Sequence, residues 1–404
     1  MDMSQGGREQ GHGEAGEARP AARLTSPWVN VALLVVSLLL SLVFIEVGYR
    51  AAAGLPVFEV TNWRADQVSM HRLGDRAVFD PILGWTVKPW SNIDSFETID
   101  HGIRRNFNEV EVRTGAVLAV GDSFTEGWEV DDRESWPAVL EEMTGVAIIN
   151  AGIGGFGADQ IVLRAEQLLP IAKPKLLVVG LLEADIQRAG HSIFGAPKPH
   201  FTLENGDLRF HPPEPLELPR QGGVLASLAY WLRDGLGYSA VADYLLARLN
   251  PNYWYSTDQQ VHDRRVNVDA AEVTCALLRR LKTQADKSDI RTALFMQYYA
   301  PLVLGSDRPS RNAQYVLACA QQAGLRVVDQ FALLRRIAVA DPNAMKEYYM
   351  HSGDTYGHMS PKGNRHAAHL LSLALADWLK TLPGFGRPTA APAALAVPAA
   401  TASE

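Results

Sequence analysis

A serine, a histidine and an aspartate carry the residue types and spacing in this sequence that suit covalent catalysis. Ser123 lies in Gly121-Asp122-Ser123-Phe124-Thr125-Glu126-Gly127, directly after the apolar run Ala116–Gly121. A serine just past a buried strand, flanked by glycines that permit tight turns, presents its hydroxyl at the mouth of a sheet. An isolated hydroxyl is a weak nucleophile and needs a base. His358 offers one in Asp354-Thr-Tyr-Gly-His-Met-Ser-Pro-Lys-Gly363. Ser360 as N-cap and Pro361 at the first helical position open a helix, which leaves His358 on the loop before it. Asp354, four residues upstream, is the candidate to hold the imidazole. A third segment, Asn150-Ala-Gly-Ile-Gly-Gly-Phe-Gly157, has glycines that let a backbone N–H approach a developing oxyanion. Each segment alone also has a plain reading: an ordinary turn, a flexible strand–helix junction, a surface histidine. The first lacks the second glycine of G-x-S-x-G, the lysine of a phosphate-binding loop and the spacing of a dinucleotide fingerprint.

Elements must bring these segments together. Five short runs, Ala116–Gly121, Val146–Asn150, Leu176–Leu182, Thr292–Gln297 and Leu325–Asp329, are nearly continuous in Val, Ile and Leu, as strands covered on both faces are. Helical stretches are expected at Ser135–Met143, Asp159–Leu169, Asp269–Ala285 and Arg311–Ala323, and after Pro361. Such alternation predicts a doubly wound α/β fold, a parallel five-stranded sheet sandwiched by helices. Its ligands bind at the carboxyl ends of the strands. Residues 50–113 form an irregular or β-rich lead-in to a domain over 114–384. An insertion at about 190–265 contains a hairpin signal, Phe201 to Phe210 around Asn205-Gly206, then a helical pair from about Val224 to Leu249. At the carboxyl edge it would serve as a lid, a substrate wall or an inert decoration.

GDSFTEG after the first strand, NAGIGGFG after the second and DTYGHMSPKG before the last helix, in that order, resemble the GDSL/SGNH hydrolase family. The likeness spans roughly Ala116 to Leu379. FDPILGW (Phe79–Trp85) and an apolar N-terminal segment resemble a membrane-anchored bacterial subgroup. The resemblance implies a flavodoxin-like fold, Ser123 as nucleophile, the backbone N–H groups of Ser123 and Gly155 as oxyanion donors, His358 as base and Asp354 as its partner. It implies hydrolysis of an acyl ester, for example an O-acetylated carbohydrate, through an acyl-Ser123 intermediate. With an acceptor alcohol in place of water the outcome is acyl transfer in envelope or extracellular polysaccharide assembly. Neither requires a metal or organic cofactor.

Two departures stand out. In Gly180-Leu-Leu-Glu-Ala-Asp-Ile186, Ala184 occupies the place of the family's asparagine, whose amide is the third oxyanion donor. Losing one such donor costs about 10²–10³ in turnover. Gln187 replaces it only if the backbone turns inward, and an ionised Glu183 would repel the oxyanion. A relative that binds a glycan or protein without turnover is therefore a third reading. The second departure is the spacing of Asp354, since the family's aspartate usually stands three residues before the histidine. Three ligands on one short loop, His351, Asp354 and His358, match no standard zinc spacing.

Composition narrows the classes further. The chain has 404 residues, 47% hydrophobic and 21% charged, enough for a large core. A formal charge of -7 and no Lys/Arg run argue against nucleic acid as a partner. Two cysteines, Cys275 and Cys319, exclude a disulfide scaffold and are read as buried thiols in helices, with a disulfide between them open if their Cα atoms approach within about 7 Å. Trp28 to Val47 supplies the roughly 20 apolar residues a bilayer needs, broken only by Ser37 and Ser41, which can bond back to helix carbonyls. An uncleaved anchor over 27–49 is favoured over a signal peptide cleaved near Ala51-Ala52-Ala53, because the preceding region is long and mixed in charge. Arginines flank both sides almost equally, so the extracytoplasmic (periplasmic) placement of the body follows from the resemblance. Residues 1–26 and 385–404 read as disordered tails.

Overall fold

The computed structural model describes residues 27–387 apart from 54, 56, 59, 61–62, 64–75, 94, 108, 215–227, 229–230, 233–234 and 250–262. Both expected tails, save 385–387, lie outside the described residues, as does the start of the expected helical pair in the insertion. The chain forms two compact units, 1–48 and 49–404. In the first, the helix Pro27–Ala52 begins; an 18-residue window of it has a mean hydropathy of 2.6, and it is long and apolar enough to cross a membrane. Its Ser41 hydroxyl donates to the Ser37 carbonyl at 2.8 Å, so the serine adds no unpaired donor to the apolar surface.

The second unit is built on a parallel sheet of strands β1 (Val117–Val120), β2 (Ile148–Asn150), β3 (Leu176–Leu182), β4 (Arg291–Gln297) and β5 (Arg326–Asp329). The spatial order is β5-β4-β3-β1-β2, and every pairing is parallel. These are the five runs expected from the apolar pattern. β1 and β3 are buried along their whole length, as the lack of alternation requires. Each fully buried Val or Leu side chain there contributes about 1.5–3 kcal/mol. The expected helices form α1 (Trp136–Thr144), α2 (Ala158–Ala172), α3 (Ala270–Asp286), α4 (Arg311–Gln322) and α5 (Pro361–Ala374). α1 packs on α5, and α3 packs on both α2 and α4. The chain runs from β1 outward to β2 through α1 and then back past β1 to β3 through α2, so right-handed crossovers place α1 and α2 on opposite faces of the sheet. The reversal of strand order between β1 and β3 opens a crevice at their carboxyl ends, where such sheets bind ligands.

An additional helix, Phe331–Ala340, follows β5, and a hairpin of Tyr349–Ser352 with Thr355–Met359 precedes α5. His358 therefore lies in a short strand and not in a loop. The register shift between Tyr349 and His351 sets two residues of that strand, Gly357 and His358, opposite Met350 alone and so interrupts its alternation.

The lead-in is β-rich as expected, with Ala77–Asp80 paired to Gly84–Val87 and Asn92–Ile93 to Phe96–Glu97. Its Leu83, Trp85, Ile93, Phe96, Ile99 and Ile103 join the same hydrophobic core as the sheet. In the insertion, His200–Glu204 and Asp207–His211 pair around Asn205 and Gly206, both at positive φ, which is the turn that Asn-Gly favours. The end of the insertion, Asp263–Arg265, returns to pair with His191–Phe194 near its start. A buried ion pair between Lys198 and Asp159 ties it to the first turn of α2. Burial raises the Asp159 pKa and lowers that of Lys198, so desolvation opposes the pair's charge and the fold depends on both partners being present.

Cys275 of α3 and Cys319 of α4 form a disulfide, their Cα atoms 5.9 Å apart. Packing of the two helices on one face brings together cysteines that local pattern reads as separate thiols.

Candidate active site

Ser123 opens a one-turn helix, Ser123–Glu126, at the carboxyl end of β1. The Asp122 carboxylate accepts from the Phe124 N–H at 2.9 Å and holds that turn. The other Asp122 oxygen meets the Arg188 guanidinium at 3.2 Å, and Arg188 also donates to Asp185 at 2.7 Å. Burial and the nearby Asp122 carboxylate push the Asp185 pKa well up, against the pull of Arg188. Arg188 thereby fastens the turn of Ser123 to the helix that follows β3.

His358 reaches Ser123 from the hairpin before α5. Its Nε2 lies 3.0 Å from the Ser123 Oγ. Its Nδ1 lies 2.8 Å from Glu129 Oε2, and its backbone N–H donates to the same oxygen at 3.0 Å. An ionised carboxylate only accepts, so Nδ1 carries the proton and Nε2 is left free to accept from the serine. The Phe124 ring flanks the imidazole at 5.3 Å, and Tyr299 packs edge-on against Phe124 at 5.2 Å. α5 anchors the hairpin: Ser360 caps it through the Gly363 N–H, and Asn364 donates to the Met359 and Ser360 carbonyls while accepting from the Trp136 N–H. The expected cap at Ser360 is thus what fixes the histidine.

The partner of His358 is Glu129, and Asp354 does not take that place. Asp354 is fully exposed at the hairpin tip and meets Lys346 at 3.3 Å. The tip directs its side chain to solvent, while the loop after Ser123 brings Glu129 to the imidazole. Glu129 adopts φ 69, a left-handed conformation seldom taken by a glutamate. Burial raises its pKa, but the two bonds from His358 outweigh that and leave it below the ordinary carboxylate value. Arg104, buried in the lead-in, donates to the carbonyls of Glu126, Gly127 and Val130 and so braces the segment that presents Glu129. Burial lowers the Arg104 pKa to about 10, with the surrounding acids opposing the fall.

The segment after β2 lies beside Ser123. Gly152 passes so close to the next turn that an added Cβ would stand 2.2 Å from the Glu126 nitrogen. Gly155 takes φ 80, a conformation that suits glycine and turns the backbone sharply over the Trp85 ring. Trp85 in turn donates to the Gly154 carbonyl at 3.3 Å. Ala184 falls in the first turn of the helix Glu183–Arg188. Gln187 on that helix is exposed, and Glu183 accepts the Ser310 N–H at 3.2 Å. Among the described residues no group of three His, Cys, Asp or Glu could hold a metal ion.

No family model and no curated protein matches this sequence. Solved structures resemble it in fold. The esterase EstA from Pseudoalteromonas sp. is 13% identical with a TM-score of 0.36, the likeness covering 66% of this chain and 99% of that one. A catalytic mutant of Axe2, an acetylxylan esterase from Geobacillus stearothermophilus, is 12% identical with a TM-score of 0.37, covering 65% and 95%. A protein of the G-D-S-L family from Desulfitobacterium hafniense is 13% identical with a TM-score of 0.32, covering 65% and 100%. These neighbours are esterases or carry the G-D-S-L name. The chemistry is read from the rim itself.

Sequence reasoning had Ser123 and His358 and missed Glu129. The signal was present as a carboxylate six residues after the serine, but nothing in the local pattern shows that its loop folds back beneath the hairpin.

Proposed function

We propose that the chain is a serine ester hydrolase of the GDSL/SGNH kind, anchored in a bacterial inner membrane with its catalytic body in the periplasm. The observation that carries the reading is the continuous contact from the Ser123 Oγ through His358 to Glu129. His358 Nε2 takes the hydroxyl proton as Ser123 attacks the acyl carbonyl, and Glu129 holds the tautomer and stabilises the imidazolium. The N–H groups of Ser123 and Gly155 face the developing oxyanion. The imidazolium then protonates the departing alkoxide, and water, activated by the same histidine, releases the acid from acyl-Ser123.

An acylated carbohydrate of the cell envelope fits an anchored enzyme, and an acceptor alcohol in place of water would give an O-acyltransferase. A binding module without turnover, suggested by Ala184, has no need of an ordered proton relay. Retention of the anchor is supported by Arg50, which is buried in the second unit, donates to the Tyr238 carbonyl at 3.2 Å and stacks on Trp63. Cleavage near Ala51-Ala53 would remove that side chain from the folded body. The disulfide supports an oxidising compartment.

The test is release of the phenol from an aryl acetate by the detergent-solubilised full chain beside Ser123→Ala. Activity is expected to fall at least about 10³-fold in the variant. Equal rates would remove Ser123 as the nucleophile. Product analysis with and without an acceptor glycan separates hydrolysis from transfer.

A further inference from the structure

Ala184, in the first turn of the helix that follows β3, leaves the oxyanion with one donor fewer than the GDSL/SGNH pattern provides, because a methyl group donates nothing. Across the segment after β2 a different donor approaches. A Cβ placed on Gly154 would stand 2.8 Å from Arg76 Nη2, 3.1 Å from Glu126 Oε2 and 3.7 Å from the Ser123 Cβ. The outer nitrogen of Arg76 and the nucleophile's side chain therefore flank one small space beside the nucleophile.

Arg76 is held there from two other directions. Its Nη1 meets Glu126 Oε1 at 3.4 Å, and its guanidinium lies 3.7 Å from the centroid of the Trp128 ring. Trp128 is itself seated edge-on against Phe96 and precedes Glu129 in the chain. The Arg76 side chain is 17% exposed, whereas that of Glu126 is 1% exposed. Glu126 is thus a buried anchor and Arg76 the part of the pair that faces the rim. Burial raises the Glu126 pKa, with Arg76 and Arg104 opposing the rise. A planar guanidinium fixed by a carboxylate and an aromatic face needs little reorganisation to donate toward new negative charge.

We propose that Arg76 is a further catalytic residue, whose Nη2 donates to the tetrahedral oxyanion on Ser123 in place of the amide absent at Ala184. The inference rests on the serine-hydrolase reading. It adds no covalent step: the guanidinium keeps its protons and stabilises charge that forms on the carbonyl oxygen.

The experiment compares aryl acetate turnover by the full chain and its Arg76→Met variant, which keeps an apolar stem against Trp128 and loses the donor. The expected result is a fall in kcat of about 10²–10³ with little change in KM, as removal of one oxyanion donor gives. Adding Ala184→Asn to Arg76→Met is expected to restore at least tenfold of the lost kcat, which also shows that the variant folds. An unchanged kcat, a rise confined to KM, or a loss that Ala184→Asn does not restore would each overturn the proposal. If the unmutated chain turns over no faster than Ser123→Ala, the hydrolase reading itself fails; an active chain indifferent to Arg76→Met removes only the role of Arg76.

Discussion

Two carboxylates lie within reach of His358 along the chain or in space, and their fates differ. Asp354 is four residues away in sequence, yet it stands at a hairpin tip in full contact with water, where solvent screens its pairing with Lys346. Glu129 is remote in sequence and accepts both the ring and the backbone N–H of His358. Asp354 lies in the turn of the hairpin, and at a strand rise of about 3.3 Å per residue its four-residue separation from His358 is far longer than a hydrogen bond. A loop held by a buried arginine brings Glu129 to the ring instead, because Arg104 fixes three carbonyls of the segment that carries Glu129.

The largest expected effect separates the two acids directly. Glu129→Gln should lower kcat/KM on an aryl ester by about 10³–10⁴, since an amide can present its NH2 to Nδ1 and favour the wrong tautomer. A loss under tenfold would mean that the backbone alone orients the imidazole. A smaller effect is electrostatic. Carboxyl NMR should give Glu129 a titration midpoint below the ordinary 4.5, moving up in His358→Ala. Because the folded-state value is depressed, the contact stabilises the native state above the ordinary carboxylate range and is lost as pH falls through the depressed value. A midpoint at or above 4.5 would show that burial outweighs the bonds from His358. The smallest effect is Asp354→Asn, which should leave kcat/KM within about twofold, as expected for an exposed pair. A large loss there would restore Asp354 to the site and require the hairpin tip to fold inward during turnover.

The sheet was legible because its strands are buried on both faces. A run such as Leu176–Leu182 has no polar position to disguise it, and all seven residues are buried. The Ser360-Pro361 start of α5 and the Asn205-Gly206 turn were legible for a related reason: each depends on the conformational preference of one or two neighbouring residues. The candidate site was legible in part. Ser123 and His358 belong to local motifs, whereas Glu129, Arg104 and Arg76 act through contacts across 229, 22 and 50 positions. The same holds for Cys275 and Cys319, whose bond depends on two helices sharing one face of the sheet.

What the sequence determined by itself, then, is the five strands of the sheet and the helices that flank them, the membrane-length apolar helix, and Ser123 and His358 as a candidate pair, all encoded in periodicity, capping and turn chemistry over a few residues. What only the tertiary structure decided is which acid meets His358, which cysteines meet and which arginine lies beside Ser123. Those choices depend on how the lead-in, the rim loops and the last hairpin pack around the carboxyl ends of β1 and β3. Packing of that kind is set by long-range burial, and a residue's immediate neighbours in the chain carry no record of it.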